Sequence, residues 1–517
     1  MSSLPTMVDA FEQIGPSFSL APFAEILQPY LEEVLAEQGL NQKVRKGTCL
    51  IPAVLIWLVL ALTIRRDLNQ DKVLNWMMSG FRWLEGVLPA QAKMLATGAL
   101  SHARVKLGVE VFHRLFDKLT GSYQQIEPDF HGRVSVVFDG STGTMPDSAA
   151  NRQAFGKPPS GRGQAAFPQL RLVSLLAVSV RLVLDVAYGA YVGKGSGERA
   201  LMAQILQRLT RQALLFLLDA GLYALEMVWR IDNRNQEFLV KVPRTVKLKR
   251  LKYLPDGSYL ALLRGNIIDP TQPPPKTGRK RWQEVSLVVR VIDYAIPGFR
   301  PARLMTNILD LDLTARDLAL HYHQRWDIEI AYDEIKTHQC ATLRGQSPTT
   351  FRSKRPDLVR QELYAMLMMY NLVRLLIVRA AAAHDKDPRF ISFLDALQHI
   401  IEAAPLMTVA RGQHRQAQFD YLLTLIADCD IDRPRRQRIN PRVVKVKMSK
   451  FKRKRQQDKS QHRNLEKELK IIAEDPETTP TGVIPSPNPD TLNDLSALST
   501  ISTLAVVTSS DGSDEQP

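Results

Sequence analysis

Apolar residues recur at helical spacing in the first clearly patterned segment. Over 21–38 they fall at Phe23, Ile26, Leu27, Tyr30, Leu31, Val34 and Leu35, and Gly39 follows as a C-cap. The stretch 49–64, CLIPAVLIWLVLALTI, is apolar on every side. It has sixteen residues with Pro52 inside, so it is short for a membrane span and reads as a buried core helix. The pattern stays helical to about residue 128 and then changes. RVSVVFDGS (133–141) is a β-branched run ending in Asp139 and Gly140, and 170–192 alternates as paired strands do. A helical segment at 200–212 precedes LLFLLDAGLY (214–223), a buried-strand run that ends in an Asp-x-Gly turn. Residues 237–304 hold short strands (EFLVKV, YLALLRG, EVSLVVRVIDY) separated by PDG and TQPPPKTGRKR, a β-rich insert. Helical spacing resumes at 318–336 and again over 356–381, where Pro356 suits a first helical turn.

Composition narrows the class. With 45% hydrophobic and 23% charged residues, the 517-residue chain is ordinary for a globular protein of several domains. Lys and Arg number 68 against 53 Asp and Glu, a net charge of +15. The excess is unevenly spread. Residues 471–517 carry eight acids and no Lys or Arg, which leaves 1–470 at 15 + 8 = +23. That tail is rich in Pro, Ser and Thr and is expected to be disordered. Just before it, 433–455 carries twelve Lys or Arg and no acid. One sign without the other is a footprint for a polyanion, nucleic acid before membrane. Three distant cysteines (Cys49, Cys340, Cys429) exclude a disulfide framework and a thiolate zinc site, and fit a reducing cytoplasm. The opening MSSLPTMVDAFEQ has neither the basic start nor the apolar run of a secretory signal.

The candidate chemistry is acidic. Asp139 follows VSVVF and Asp219 follows LLFLL, so each is expected at the C-terminal tip of a strand, where α/β sheets bind ligands. In HYHQRWDIEIAYDEIKTHQ (321–339), Tyr322, Arg325, Glu329 and Lys336 stand at offsets of 0, 3, 7 and 14. At about 100° per residue they fall near 0°, −60°, −20° and −40°, one narrow helix stripe. An exposed face with an Arg325–Glu329 ion pair explains this blandly. The same stripe suits a face that touches phosphates, with Arg325 and Lys336 on backbone oxygens and Glu329 aimed at a metal. His321 and His323 point apart on a helix and make a poor metal pair.

These residues resemble a known family. Y-x2-R-x3-E-x6-K is the signature of one branch of the bacterial insertion-sequence DDE transposases, the insertion-sequence-four family, and Tyr322, Arg325, Glu329 and Lys336 fit it without a gap. FDGST…DSAANRQAFG (138–156), GERAL (197–201), LLDAGLY (217–223), FRSKRPDLVRQELYAMLMMYNLVR (351–374) and PRVVKVKMSKF (441–451) also match, in order. The resemblance implies an α/β, ribonuclease-H-like catalytic core interrupted by a β-rich insertion, with a helical N-terminal domain. The expected division is a DNA-end-binding domain at 1–128, the first part of the core at 129–236, the insertion at 237–304 and the second part with the signature helix at 305–405. A basic DNA-contacting region (406–456) and the acidic tail (457–517) follow. The 109 residues between Asp219 and Glu329 leave room for that insertion.

By the same resemblance, Asp139, Asp219 and Glu329 are the catalytic, metal-holding carboxylates for a pair of Mg2+ ions, with Mn2+ able to substitute. Asp139 would bridge both ions, Asp219 hold one and Glu329 the other. Tyr322, Arg325 and Lys336 would grip phosphates of the transferred end. Lys157 and Arg162, with Asn151 in the loop 145–168, would close over the strand. Arg442, Lys445 and Lys447 in the basic run would add sequence-neutral attraction to DNA. End recognition would fall to the N-terminal domain, where Lys43, Arg45, Lys46, Arg65 and Arg66 cluster.

The implied activity is cleavage of the ends of the protein's own element and joining of the freed 3′-hydroxyl to target DNA. The expected partners are double-stranded DNA, at element ends and target, and a second copy when ends are synapsed; no membrane is expected. The expected location is the cytoplasm, at the nucleoid. Rival readings are a catalytically silent DNA-binding relic or repressor, and a metal-dependent DNA nuclease without strand transfer.

Overall fold

Why the strands sit where they do follows from their alternation. In a computed structural model, residues 20–40, 51–77, 97–121, 126–161, 163–193, 195–268, 282–297, 299–339, 341–342, 345–346, 349–410, 412–431 and 464–473 are described. Six strands run β1 (Val134–Thr144), β2 (Gln169–Ala177), β3 (Leu182–Ala190), β4 (Leu214–Leu218), β5 (Glu237–Val242) and β6 (Lys249–Tyr253). Four more follow: β7 (Tyr259–Ile268), β8 (Trp282–Ala295), β9 (Ala302–Thr306) and β10 (Lys470–Ile471). They form one sheet in the order β3-β2-β1-β4-β5-β9-β8-β7-β6, with β10 on β8. β1, β4 and β5 are parallel to one another and every other pairing is antiparallel. A mixed α/β fold with a large sheet is thus present, as a ribonuclease-H-like core requires.

Two details differ from the sequence pattern. The strand Glu237–Val242, which the pattern groups with the insert, pairs in parallel with β4 and continues the core. The rest of the insert, β6 to β9, is a run of antiparallel pairs that extends the same sheet outward. In addition, β1 does not end at Asp139. Its pairing with β2 continues to Thr144, while its pairing with β4 stops at Val137↔Leu217. Asp139 therefore stands where β1 loses one neighbour.

The sheet separates two buried clusters. On one face Val134, Val136, Phe138, Leu214, Phe216 and Leu218 pack with α7 (Glu198–Arg208) and α8 (Leu225–Asp232). On the other, Val137, Leu215 and Leu217 share a core with the N-terminal helices and with α11 (Pro356–Ala383). The N-terminal helices are α1 (Ala21–Glu37), α2 (Pro52–Ile64), α3 (Gln70–Met77), α4 (Thr97–Leu107) and α5 (Glu110–Gly121), and α6 (Ala149–Phe155) follows β1. α1 starts at a proline in its first turn and stops where Gly39 takes φ 63°, with Leu40 N–H donating to Leu35 O at 2.8 Å. α2 is buried from Val54 through Ile64, which makes the apolar stretch a core helix. α11 is long and apolar enough to cross a membrane by composition, and 78% of its most apolar window is buried inside the protein.

The signature segment is helical throughout but not one regular α-helix. It runs as α9 (Ala315–Tyr322), a 3-10 turn (His323–Trp326), α10 (Asp327–Asp333) and a π-helical turn (Glu334–Gln339). Thr314 caps its start, its hydroxyl accepting from Asp317 N–H at 3.2 Å. The insert is tied to that start. Buried Arg290 of β8 donates to Asp310 O (2.7 Å) and Leu313 O (2.8 Å) and pairs with Asp256, whose carboxylate also accepts Ala315 N–H at 2.6 Å. α12 (Phe393–Val409), α13 (Gln413–Ala427) and α14 (Leu465–Glu468) follow among the described residues, and the described residues up to Ile472 form one compact unit.

Candidate active site

Register brings the two aspartates together. β1 and β4 pair from Val134↔Leu214 to Val137↔Leu217, an offset of 214 − 134 = 80. β4 ends at Leu218, so Asp219 is the first residue past its strand, while Asp139 lies two residues past the last β1–β4 pair. Alternation puts Asp139 on the face opposite Phe138, the face that carries the signature segment. Asp139 Oδ1 accepts from Gly140 N–H at 2.8 Å, and Asp219 Oδ1 accepts from Leu222 N–H at 2.9 Å. Glu329 projects from α10 with 43% of its side chain exposed, and its Oε1 accepts from Arg325 Nη2 at 3.2 Å.

These groups feel one another. Burial pushes the Asp139 carboxyl up to about 6; the carboxylates of Asp219 and Glu329 push the same way, against the Gly140 N–H and the Arg325 charge. Burial works against the charge on Arg325, but Tyr322, Glu329 and Asp219 around it outweigh that and hold its pKa above the usual value. Among the described residues, no three His, Cys, Asp or Glu side chains are already drawn close enough to hold a metal ion.

The other expected residues divide. Lys336 reaches β1, its Nζ donating to Ser141 Oγ (2.5 Å) and Thr142 O (2.9 Å). Tyr322 turns its hydroxyl inward. It is 5% exposed, and its hydroxyl donates to Leu218 O at 3.1 Å, so it holds the strand end that carries Asp219. Lys157 is likewise engaged within the protein, with Asp147 at 2.8 Å. Asn151 is buried and staples the loop after β1, donating to Pro146 O (3.1 Å) and Ser353 O (3.0 Å). Arg66 donates to Thr349 O at 2.7 Å, and Arg65 pairs with Asp67 at 3.1 Å and covers the Trp76 ring. Arg162, Arg442, Lys445, Lys447, Lys43, Arg45 and Lys46 lie outside the described residues. His321 is buried, with Ser135 Oγ 2.7 Å from its Nε2, and burial pushes its pKa down to about 3. His323 is pushed down to about 4, again chiefly by burial.

Tyr332 is the residue that the stripe missed. Its hydroxyl donates to the Asp139 carbonyl at 2.8 Å, fixing the other aspartate-bearing strand to the helix. The signal was present: ten residues after Tyr322, it falls near −80°, on the flank of the same stripe.

The Tyr322 contact gives a prediction. Tyr322→Phe loses one hydrogen bond and lowers stability by about 1 kcal/mol. If the hydroxyl serves only Leu218 O, and Lys157 only Asp147, end-DNA affinity should stay within about two-fold in Tyr322→Phe and in Lys157→Ala. Thermal unfolding and filter binding check both, and a ten-fold loss of affinity in either variant restores the phosphate role.

Two family models match the chain. The family described as "Transposase DDE domain" matches residues 131–372, which enclose Asp139, Asp219, Glu329 and Lys336. "Insertion element 4 transposase N-terminal" matches residues 18–117, the helices before the sheet. The chain belongs to the insertion-sequence-four family of DDE transposases. The transposase InsG of insertion sequence element IS4 from Escherichia coli (strain K12) is 26% identical over 445 residues, 84% of this chain and 93% of that protein. Among solved structures, a piggyBac transposase synaptic complex with hairpin DNA covers 80% of this chain and 86% of its own at 8% identity and a TM-score of 0.37, a likeness too slight to carry an argument. The protein is a DNA transposase.

Proposed function

We propose that this transposase cleaves the ends of its own mobile element and joins the freed 3′-hydroxyl to target DNA by two-metal phosphoryl transfer, as a homodimer on paired ends. The observation that carries the reading is that Asp139, just past the last β1–β4 pair, lies near enough to the Asp219 and Glu329 carboxylates for both to raise its pKa. The donor set suits divalent ions: it is all carboxylate oxygen, which Mg2+ and Mn2+ prefer, and its crowded negative charge is what a cation relieves. Asp139, Asp219 and Glu329 would hold the ions. Bound there, such a pair supplies charge neutralisation at phosphorus and an acidified water.

The chain's own groups prepare for that. Arg325 holds Glu329 by an ion pair, and Glu329, part exposed, has room to turn toward the aspartates. Arg325, then released, is available to a phosphate oxygen, for which a guanidinium fork is well shaped. Tyr322 and Tyr332 anchor Leu218 O and Asp139 O so that the aspartates stay fixed while Glu329 moves. The test is divalent-dependent cleavage of a duplex carrying the terminal sequences that flank the gene, followed by capture of joined products. Cutting without joining would reduce the protein to a nuclease.

The raised Asp139 pKa also predicts a stability profile. The folded carboxyl titrates near 6 and the unfolded one near 3.8, so the folded state binds the proton more tightly. The cost of ionising Asp139 is absent below about pH 4, grows as pH rises to about 6 and is constant above. Solvent reaches part of the group, so about 1–3 kcal/mol is expected rather than the full shift. Without divalent ions, Asp139→Asn should therefore be more stable than the unaltered chain at pH 7 by about that amount, and equal to it near pH 4. Urea unfolding at the two pH values checks the sign.

A further inference from the structure

We propose that the first turn of α7, through Glu198 and Arg199, braces the backbone just after both aspartates, within β1 and past the end of β4, from the back of the sheet. The inference rests on the reading of Asp139 and Asp219 as carboxylates of the site. Glu198 and Arg199 act through that backbone and are positioning residues.

The brace follows from the two faces of the sheet. Asp139 projects toward the signature segment, whereas α7 lies on the reverse, its Leu201, Met202, Ile205 and Leu206 packed with Val136, Phe138 and Leu218. Its first turn reaches the sheet edge where β4 stops. There Arg199 Nε and Nη2 both donate to Gly221 O, at 3.2 and 3.1 Å. Gly221 belongs to the turn in which Asp219 Oδ1 accepts Leu222 N–H. One residue earlier in the helix, Glu198 lies flat against Gly140. A Cβ built on Gly140 would stand 2.5 Å from Glu198 Cδ and 2.7 Å from Cγ, so alanine fits at 140 only if Glu198 leaves. Gly140 N–H in turn donates to Asp139 Oδ1.

A single helical turn thus touches the chain just after each aspartate, and does so from the side away from the reacting groups. Tyr322 and Tyr332 hold Leu218 O and Asp139 O from the front. The pair of aspartates is clamped between α7 and the signature segment. A metal or phosphate site tolerates misplacement of only about 0.5 Å, so the separation of the two carboxylates has to be fixed by such contacts. This also gives the GERAL segment a role: Gly197 begins the helix, and Glu and Arg are its two contacts.

The experiment uses the full chain bound to a duplex carrying the terminal sequences that flank the gene, with Mn2+ as probe. Bound Mn2+ is read from the electron paramagnetic resonance of the free ion, and end affinity and melting temperature are measured beside it. Arg199→Ala should weaken Mn2+ binding about ten-fold, as loss of a group supporting a metal ligand does, with end affinity within about two-fold. Arg199→Lys, which keeps one donor, should recover part of the loss. Glu198→Ala and Gly140→Ala should each weaken Mn2+ binding, and the double variant should be no worse than Gly140→Ala alone, because alanine at 140 already displaces Glu198. The proposal is overturned if Arg199→Ala and Glu198→Ala leave Mn2+ binding unchanged while Asp139→Asn abolishes it. It is equally overturned if Arg199→Ala loses Mn2+ only in step with its melting temperature and Arg199→Lys restores neither. If Asp139→Asn itself binds Mn2+ normally, the underlying reading fails, a result distinct from both.

Discussion

Glu329→Gln is expected to cleave end-bearing DNA at least about 1,000-fold more slowly than the unaltered chain, a loss of roughly 4 kcal/mol of transition-state stabilisation. The change keeps the size of the side chain and removes one negative charge from a three-carboxylate donor set, so metal binding suffers while the helix does not. Asp139→Asn and Asp219→Asn should fall by similar factors. End affinity should stay within about two-fold in all three, because DNA attraction comes from cations elsewhere in a chain of net charge +15. Asp139→Asn is the informative member of the set. It is expected to be the more stable protein at pH 7 and the inactive one, a combination that no simple folding defect produces. Gel assays of cleavage in Mg2+, with binding measured in parallel, decide it. A variant that still cuts within ten-fold of the unaltered rate removes its residue from the site.

Glu334→Ala should fail differently, by unfolding. Five residues after Glu329 in the same segment, Glu334 is buried among Arg374, which pairs with it, Arg181 at 3.1 Å and the Tyr370 hydroxyl at 3.0 Å. Arg181 also pairs with Asp327 at 2.8 Å, and the side chains of Arg374 and Asp327 are 0% exposed. Removing Glu334 takes from the buried Arg374 guanidinium its carboxylate and leaves Arg181 with Asp327. The expected loss is about 3–5 kcal/mol, a large part of the total stability of an ordinary domain. A fall in melting temperature and in soluble yield, with end binding lost in proportion to folding, is the predicted outcome. Glu334→Ala folding normally but failing to cut, with Glu329→Gln active, would exchange the two glutamates' roles.

That contrast marks how far the residue pattern reads. Asp139 and Asp219 were legible as the first acids after buried runs, because a buried parallel strand is a continuous apolar run; that β1 continues past Asp139 to Thr144 was not. Glu329 and Lys336 were legible because a helix keeps a stripe over four turns. The 3-10 and π turns were not; the π turn begins at Glu334, whose partners Arg374 and Arg181 lie about 40 and 150 residues away. Tyr322 and Lys157 read as phosphate ligands because a phenol or an ammonium near acids is equally suited to DNA or to a carbonyl. The tertiary contacts with Leu218 and Asp147 are what the residue pattern does not carry. Glu237–Val242 read as the start of the insert for a similar reason: a short strand carries no mark of the neighbour it will pair with.

The claim that the rest depends on is shared metal holding by three side chains. Anomalous diffraction from Mn2+ in crystals of the full chain on its end DNA tests it most directly. The account predicts peaks with oxygens of Asp139, Asp219 and Glu329 at about 2.0–2.6 Å. Peaks ligated by other residues, with Glu329 still paired to Arg325, would contradict it.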